Sequence, residues 1–292
     1  MSGAKLRQLL KEKNTLLMPG AYNPFVAKLI EHSGFDGVYI SGAGLANSLG
    51  MADDGTLKRA DFCYFANLIS RSIHLPVICD ADTGLDEGLE DGLQTTIKSY
   101  IQCGLAGLHV EDQIFPKRCG HLPGKEVIPR EDMQEKIRRM TEARDLYDGN
   151  FLIIARTDAR GAANVDESRQ LDESIERGRA YVEAGADMIF PESLRSLEEF
   201  KKYRDRIEVP LLANMTEFGT TPLLAARDFE KLGYNIVIYP VSLFRFAAGH
   251  TRAALRTLKR DGNQQQLIAE MMNRQEINML LDYKPEGGRS NG

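Results

Sequence analysis

Cysteine is scarce: Cys63, Cys79, Cys103 and Cys119 are the only four in 292 residues, and no two stand in a CxxC or other metal spacing. Neither a zinc site nor a disulfide framework is indicated, and free thiols fit a reducing compartment. Long apolar runs are missing as well. No stretch approaches 18 uninterrupted apolar residues, and the opening MSGAKLRQLLKEKN reads as a short amphipathic helix without the apolar core of a signal. The expectation is a cytoplasmic protein. Excess positive charge is absent too. The net charge is -5 with a pI near 5.7, and the 37 basic residues are dispersed, which leaves no electrostatic footprint for nucleic acid. Finally, no GxGxxG or GxxxxGKS/T follows a strand pattern, which removes support for a nucleotide binder.

What the chain does have is regular alternation. Eight short apolar segments recur, at 16–21, 37–42, 76–82, 107–112, 151–158, 187–192, 210–216 and 235–241. Apolar on both faces, they read as buried parallel strands. Helical patterns lie between them, such as PFVAKLIEHSG, with Phe25, Val26, Leu29 and Ile30 on one face and Gly34 as a stop. Eight strands with intervening helices predict an α/β fold of the (β/α)8 TIM-barrel type; the open doubly wound sheet, its rival, usually has fewer strands. The prediction is a single domain over 1–292, with the barrel at about 15–260 and a helical extension at about 261–283. The tail carries two helix-like pieces, 242–260 and 264–281, and an extra amphipathic helix after a closed barrel implies association into a homo-oligomer.

In a barrel of this kind the chemistry is built at the carboxyl ends of the strands. Here these ends carry Tyr39 and Ser41, Asp80 and Asp82, His109 and Glu111, Arg156 and Asp158, Glu192, Asn214 and Thr216, and Tyr239. A single strand-end carboxylate more often caps the next helix, so the signal is the coincidence across strands. Asp80 and Asp82 share one strand face by the period of two and would repel unless a cation sits between them. With Glu111 they form an all-oxygen set suited to Mg2+ or Mn2+; the competing reading is an acidic hydrogen-bonded network without metal. Just beyond Glu111, the segment PKRCGH surrounds Cys119 with Lys117, Arg118 and His121. These cations would lower the thiol pKa and poise it as proton donor or thiolate, against the alternative of an ordinary surface thiol. Pro116, Gly120, Pro123 and Gly124 suit a loop that opens and closes over a site. Cys63, Cys79 and Cys103 read as core fillers.

This constellation is also a resemblance. HVEDQIFPKRCGH (109–121), with SGAG (41–44), DADTG (80–84), ARTDA (155–159), FPE (190–192), NMTEFG (214–219) and YPVSLFR (239–245), is similar to the isocitrate lyase and phosphoenolpyruvate mutase superfamily. Within it the chain most resembles the 2-methylisocitrate lyases, from about residue 15 to 283. The KRCGH loop is specific to the lyase members, and NMTEFG replaces the serine-proline-serine-phenylalanine-asparagine-tryptophan segment of isocitrate lyases.

The resemblance implies Mg2+-dependent retro-aldol cleavage of 2-methylisocitrate to pyruvate and succinate, the last step of the methylcitrate route for propionate. It implies that Asp80, Asp82 and Glu111 hold the metal, and that Ser41, Gly42, Ala43 and Arg156 hold the pyruvate-forming end. Glu192 and the Asn214-Met215-Thr216 segment match the succinate-forming end, with Arg245 and Arg274 as further substrate contacts. Phe190 and Ile238 match an apolar wall for the extra methyl. Cys119 is the implied general acid, with Gly120 allowing close backbone approach and Lys117 and His121 as its catalytic neighbours. The base stays open among Tyr39, Asp53 and a His109–Glu111 pair. The resemblance further implies a homotetramer that exchanges its terminal helix.

Two departures stand out. DTGLDEGLEDG (82–92) loses an aromatic and adds acids beside the site, and Ala43 stands where many relatives have glycine. Isocitrate cleavage, oxaloacetate decarboxylation and non-catalytic acid binding are the alternative functions.

Overall fold

In the strands, apolar side chains sort into two cores with the period of two. The computed structural model describes residues 2–86, 88–117, 120 and 123–283. Its strands are β1 (Leu16–Pro19), β2 (Val38–Ile40), β3 (Val77–Asp80), β4 (Gly107–Glu111), β5 (Leu152–Thr157), β6 (Met188–Pro191), β7 (Leu212–Asn214) and β8 (Ile236–Tyr239). Met18, Tyr39, Ile78, Ile154, Phe190 and Ile238 fill the interior. Their neighbours Val38, Cys79, Leu108, Ile153, Ile189 and Val237 face outward against helices. Each fully buried aliphatic side chain contributes on the order of 1.5–3 kcal/mol.

Every pairing is parallel. The hydrogen-bonded order is β2-β3-β4-β5-β6 in one run and β1-β8-β7 in the other. Parallel bridges Gly20↔Tyr39 and Ile189↔Leu211 join the runs at both seams, which closes the barrel. This confirms the expected TIM barrel at all eight positions.

The helices are α1 (Ser2–Glu12), α2 (Pro24–His32), α3 (Gly42–Ser48), α4 (Arg59–Ser70), α5 (Gly92–Gln102), α6 (Arg130–Tyr147), α7 (Gln170–Glu183), α8 (Leu197–Arg204), α9 (Ala226–Leu232), α10 (Ser242–Asp261) and α11 (Arg274–Leu280). Asn23 starts α2 by accepting from the Val26 N–H, and Ser41 starts α3 by accepting from Gly44. α1 joins the interior core at its amino-terminal side: Leu6 is fully buried with Leu16, and Arg7 pairs with Asp187 at 2.7 Å.

The tail departs from the expected pair of long helices. The second is broken: Gln265–Glu270 is a 3-10 turn, and a new helix begins only at Arg274. Asn273 explains the break, because its side chain accepts from the Gln275 and Glu276 N–H groups while Glu276 returns to the Asn273 N–H. α10 buries none of its residues within the chain and leaves Phe246 and Leu255 exposed. No helix among the described residues is long and apolar enough to cross a membrane.

Candidate active site

Strand register assembles the site. It sets Asp80 beside His109, Glu111 beside Arg156, Arg156 beside Phe190, and Asn214 beside Ile238. Four polar strand tips thus meet around one cleft. Its wall includes Tyr39, Ser41, Ala43, Asp53, Asp80, Lys117, Gly120, Arg156, Phe190, Glu192, Asn214, Thr216 and Arg245, which were all expected site residues.

Asp80 is held from two sides: Oδ2 accepts from the Gly42 N–H at 3.1 Å and Oδ1 from the Asp82 N–H at 2.9 Å. His109 Nε2 lies 2.7 Å from Tyr39 Oη and 3.6 Å from Asp80 Oδ1. Burial pushes the imidazole pKa down to about 4 despite Asp80, so the ring is neutral at pH 7. Burial, reinforced by Asp80, raises the Tyr39 phenol well above its ordinary value, so the free protein keeps the proton on Tyr39. Lys117 Nζ stands 2.7 Å from Asp82 Oδ1 and 2.8 Å from Asp53 Oδ1.

Arg156 is the central cation. Its Nε and Nη2 donate to Asp158 at 2.8 and 3.0 Å, a two-point grip that fixes the guanidinium plane. Nη1 lies 3.2 Å from Glu111, Nη2 lies 3.5 Å from Glu192, and the Phe190 ring packs against the guanidinium at 5.2 Å. Asn214 donates to Glu192 Oε2 at 3.1 Å, and Lys125 ties down Asp158 at 2.9 Å. At the rim, Arg245 donates to Thr216 Oγ1 and to Glu217.

The charges do not balance. Among the described residues, Asp80, Asp82, Glu111, Asp158 and Glu192 are buried carboxylates, opposed by the buried cations Lys117, Lys125 and Arg156. Burial, with Asp80 beside it, raises Asp82 to about 6. Burial raises Glu111 well above the carboxylate range even with Arg156 adjacent, and its Oε1 has no hydrogen-bond partner among the described residues. An excess of buried oxygen charge with an orphaned carboxylate oxygen fits a hard divalent cation. Among the described residues, however, no group of three His, Cys, Asp or Glu side chains is placed to hold a metal ion: of the expected set only Asp80 lines this cleft, and Asp82 is instead paired with Lys117 at 2.7 Å.

Several expected residues fall elsewhere. Ile238 is fully buried in the interior core, beneath the cleft. Met215 turns into the outer core, where its sulfur accepts from the Leu224 N–H at 3.4 Å. Arg274 is exposed at the head of α11 and does not line the cleft of its own chain. Cys119 and His121 lie outside the described residues. Cys79 is fully buried as expected, and Cys63 and Cys103 are half-buried and pack against the outer core. Sequence reasoning missed Asn47, Pro240 and Val241 in the wall, and Lys125 and the anchoring role of Asp158 behind it. Asp158 was visible at a strand tip; Lys125 lies in a loop and gave no signal.

A closed parallel barrel whose strand tips gather polar side chains around one arginine defines an enzyme of the TIM-barrel class. Residues 6–259 match the family model described as phosphoenolpyruvate phosphomutase. The chain is 42% identical to a 2-methylisocitrate lyase of Aeropyrum pernix over 281 residues, 96% of this chain and 87% of that protein. Among solved structures it resembles a 2,3-dimethylmalate lyase with a TM-score of 0.87 and 34% identity, covering 96% of this chain and 91% of that one. It also resembles a phosphonopyruvate hydrolase in complex with oxalate and Mg2+, with a TM-score of 0.84 and 29% identity, covering 97% and 95%. The chain belongs to the phosphoenolpyruvate mutase and isocitrate lyase superfamily.

Proposed function

We propose that this protein is a Mg2+-dependent carbon-carbon lyase that cleaves 2-methylisocitrate to pyruvate and succinate in propionate catabolism. The observation that carries the reading is Arg156: a buried guanidinium, held flat by Asp158, facing a cleft of polar strand tips. Its planar fork suits a substrate carboxylate. The KRCGH motif and the likeness to a 2-methylisocitrate lyase of Aeropyrum pernix support this reaction.

In this reading Asp80, Asp82 and Glu111 hold the cation, which supplies Lewis-acid stabilisation to the 2-hydroxy acid end. Ser41, Gly42 and Ala43 position that end with Arg156. Glu192, Asn214 and Thr216, backed by Arg245, orient the succinate-forming end. Phe190 supplies the apolar contact for the extra methyl, a discrimination worth only about 1–3 kcal/mol. Cleavage requires loss of the hydroxyl proton to Asp53, to the His109–Glu111 pair, or to Tyr39 once its own proton has been given up, followed by proton delivery from Cys119 to the succinate carbanion. In this reading Lys117 and His121 act as the catalytic neighbours of Cys119. The setting is a cytoplasmic homotetramer with exchanged terminal helices, supported by the unburied apolar residues of α10.

Product analysis with Mg2+ on 2-methylisocitrate, isocitrate, 2,3-dimethylmalate and oxaloacetate tests the reading. Pyruvate plus succinate, formed fastest from 2-methylisocitrate and lost in Cys119→Ser, is the expected result. Faster turnover of any other substrate would displace the assignment.

A further inference from the structure

Away from the cleft, α4 and α5 pack on the outer side of the barrel, with the fully buried strand β3 running between them in sequence. Each helix brings one thiol to their contact. Cys63 lies within α4, and Cys103 is the residue that ends α5. The Cys103 thiol lies 3.4 Å from the Cys63 carbonyl oxygen and can donate to it. The same contact couples the two thiols: Cys103 raises the Cys63 pKa, and Cys63 lowers that of Cys103.

The backbone holds this meeting in place. Ser70, the last residue of α4, donates its hydroxyl to the Cys103 carbonyl, so the ends of the two helices are tied beside the thiols. The chain then turns away at Gly104, whose φ of 81° a residue with a side chain rarely adopts. Both cysteines are half-buried, open enough for a small reagent, whereas neighbouring Cys79 is fully enclosed in β3. Nothing in the proposed reaction uses any of the three.

We propose that Cys63 and Cys103 form a redox-modification site, closing to an intramolecular disulfide that staples α4 to α5 when a peroxide-class oxidant reaches them. The site stands independently of the lyase reading. In the first step the Cys103 thiolate attacks a peroxide oxygen: an S–O bond forms, the O–O bond breaks, and the departing hydroxide takes a proton to become water. In the second the Cys63 sulfur attacks the resulting sulfenic acid: the S–S bond forms, the S–O bond breaks, and hydroxide leaves with the Cys63 proton as a second water. Two thiols are oxidised by two electrons, and one peroxide is reduced to two waters. The Cys63 hydrogen bond lowers the Cys103 pKa against the opposing effect of burial, which makes Cys103 the attacking sulfur.

The test uses the full chain carrying Cys119→Ser, which leaves three of the four thiols, treated with hydrogen peroxide in its folded state. Free thiols should fall from three to one, non-reducing peptide mapping should find Cys63 joined to Cys103, and Tm should rise by several degrees and return on reduction. Cys63→Ser and Cys103→Ser should each abolish the link, and Cys79→Ser should leave it intact. Over-oxidation of Cys103 without a link, a link involving Cys79, or a link that forms only in urea or between chains would overturn the proposal.

Discussion

Gly120 sits so close to Arg156 that a β-carbon on it would overlap the guanidinium, and would also lie 2.7 Å from Glu192 Cγ and 2.8 Å from Asp158 Oδ1. Gly120 therefore seats its backbone directly on the cation at the centre of the cleft. Ser193 secures the seat by donating its hydroxyl to the Gly120 carbonyl at 2.8 Å. Gly120→Ala should lift the loop by the width of a methyl group. A displacement of that size costs about 10²-fold in turnover when it misplaces a reacting group. Steady-state kinetics should show that loss with Tm nearly unchanged; wild-type kcat/KM would break the connection between seat and catalysis.

The proposed metal dependence should appear in stability as well as activity, because among the described residues of the site buried carboxyl groups outnumber buried cations. Adding Mg2+ to chelator-treated protein should raise Tm, by an amount corresponding to about 2.7 kcal/mol at a hundredfold excess over Kd. Glu111→Gln removes the carboxylate whose Oε1 finds no partner among the described residues and should blunt that rise. Differential scanning calorimetry with and without Mg2+ checks both. Equal Mg2+ shifts in the two proteins would remove Glu111 from the ligand set.

Strand positions and the strand-tip residues were legible in the sequence because a barrel imposes them through one-dimensional rules. Parallel strands buried on both faces show as apolar runs, and the tip rule then points at Asp80, Glu111, Arg156 and Asn214. Register was not legible: that Glu111 stands beside Arg156 follows from pairing β4 with β5 over five residue pairs. The helix break at Asn273 was missed because the apolar spacing from Leu267 to Leu281 continues across it, and a local cap outweighs periodicity. Met215 was assigned by its place in a motif, although alternation along a strand sends it to the face opposite Asn214.

Behind the site, Asp112 is buried without solvent contact and is satisfied by Arg177 at 3.1 Å, by the Tyr181 hydroxyl at 2.7 Å and by the Asp158 N–H at 2.8 Å. Arg177→Met leaves that carboxylate without its cation and should destabilise the fold by roughly 3–5 kcal/mol. Pairing it with Asp112→Asn should recover part of the loss, since the uncompensated charge is gone. Urea unfolding of the single and double variants measures the coupling. Additive losses would mean that the ion pair contributes nothing specific.

His109 should make the protein acid-sensitive in a defined window. In the unfolded chain its pKa is near 6.5, whereas in the fold burial pushes it down to about 4. Above about pH 6.5 neither state binds the proton, and the full stability is present. As pH falls from there toward 4, the unfolded chain takes up a proton that the folded ring refuses, so stability drops through that interval. The difference corresponds to roughly 3 kcal/mol for this one group. Replacing the ring by a neutral amide in His109→Gln removes the term, whatever it costs in packing against Tyr39 and Phe190. The unfolding free energy of wild type should therefore fall more steeply between pH 7 and pH 4.5 than that of the variant. Parallel slopes would show that His109 takes up its proton in the folded state, and the Tyr39–His109 contact would then be between a phenol and an imidazolium.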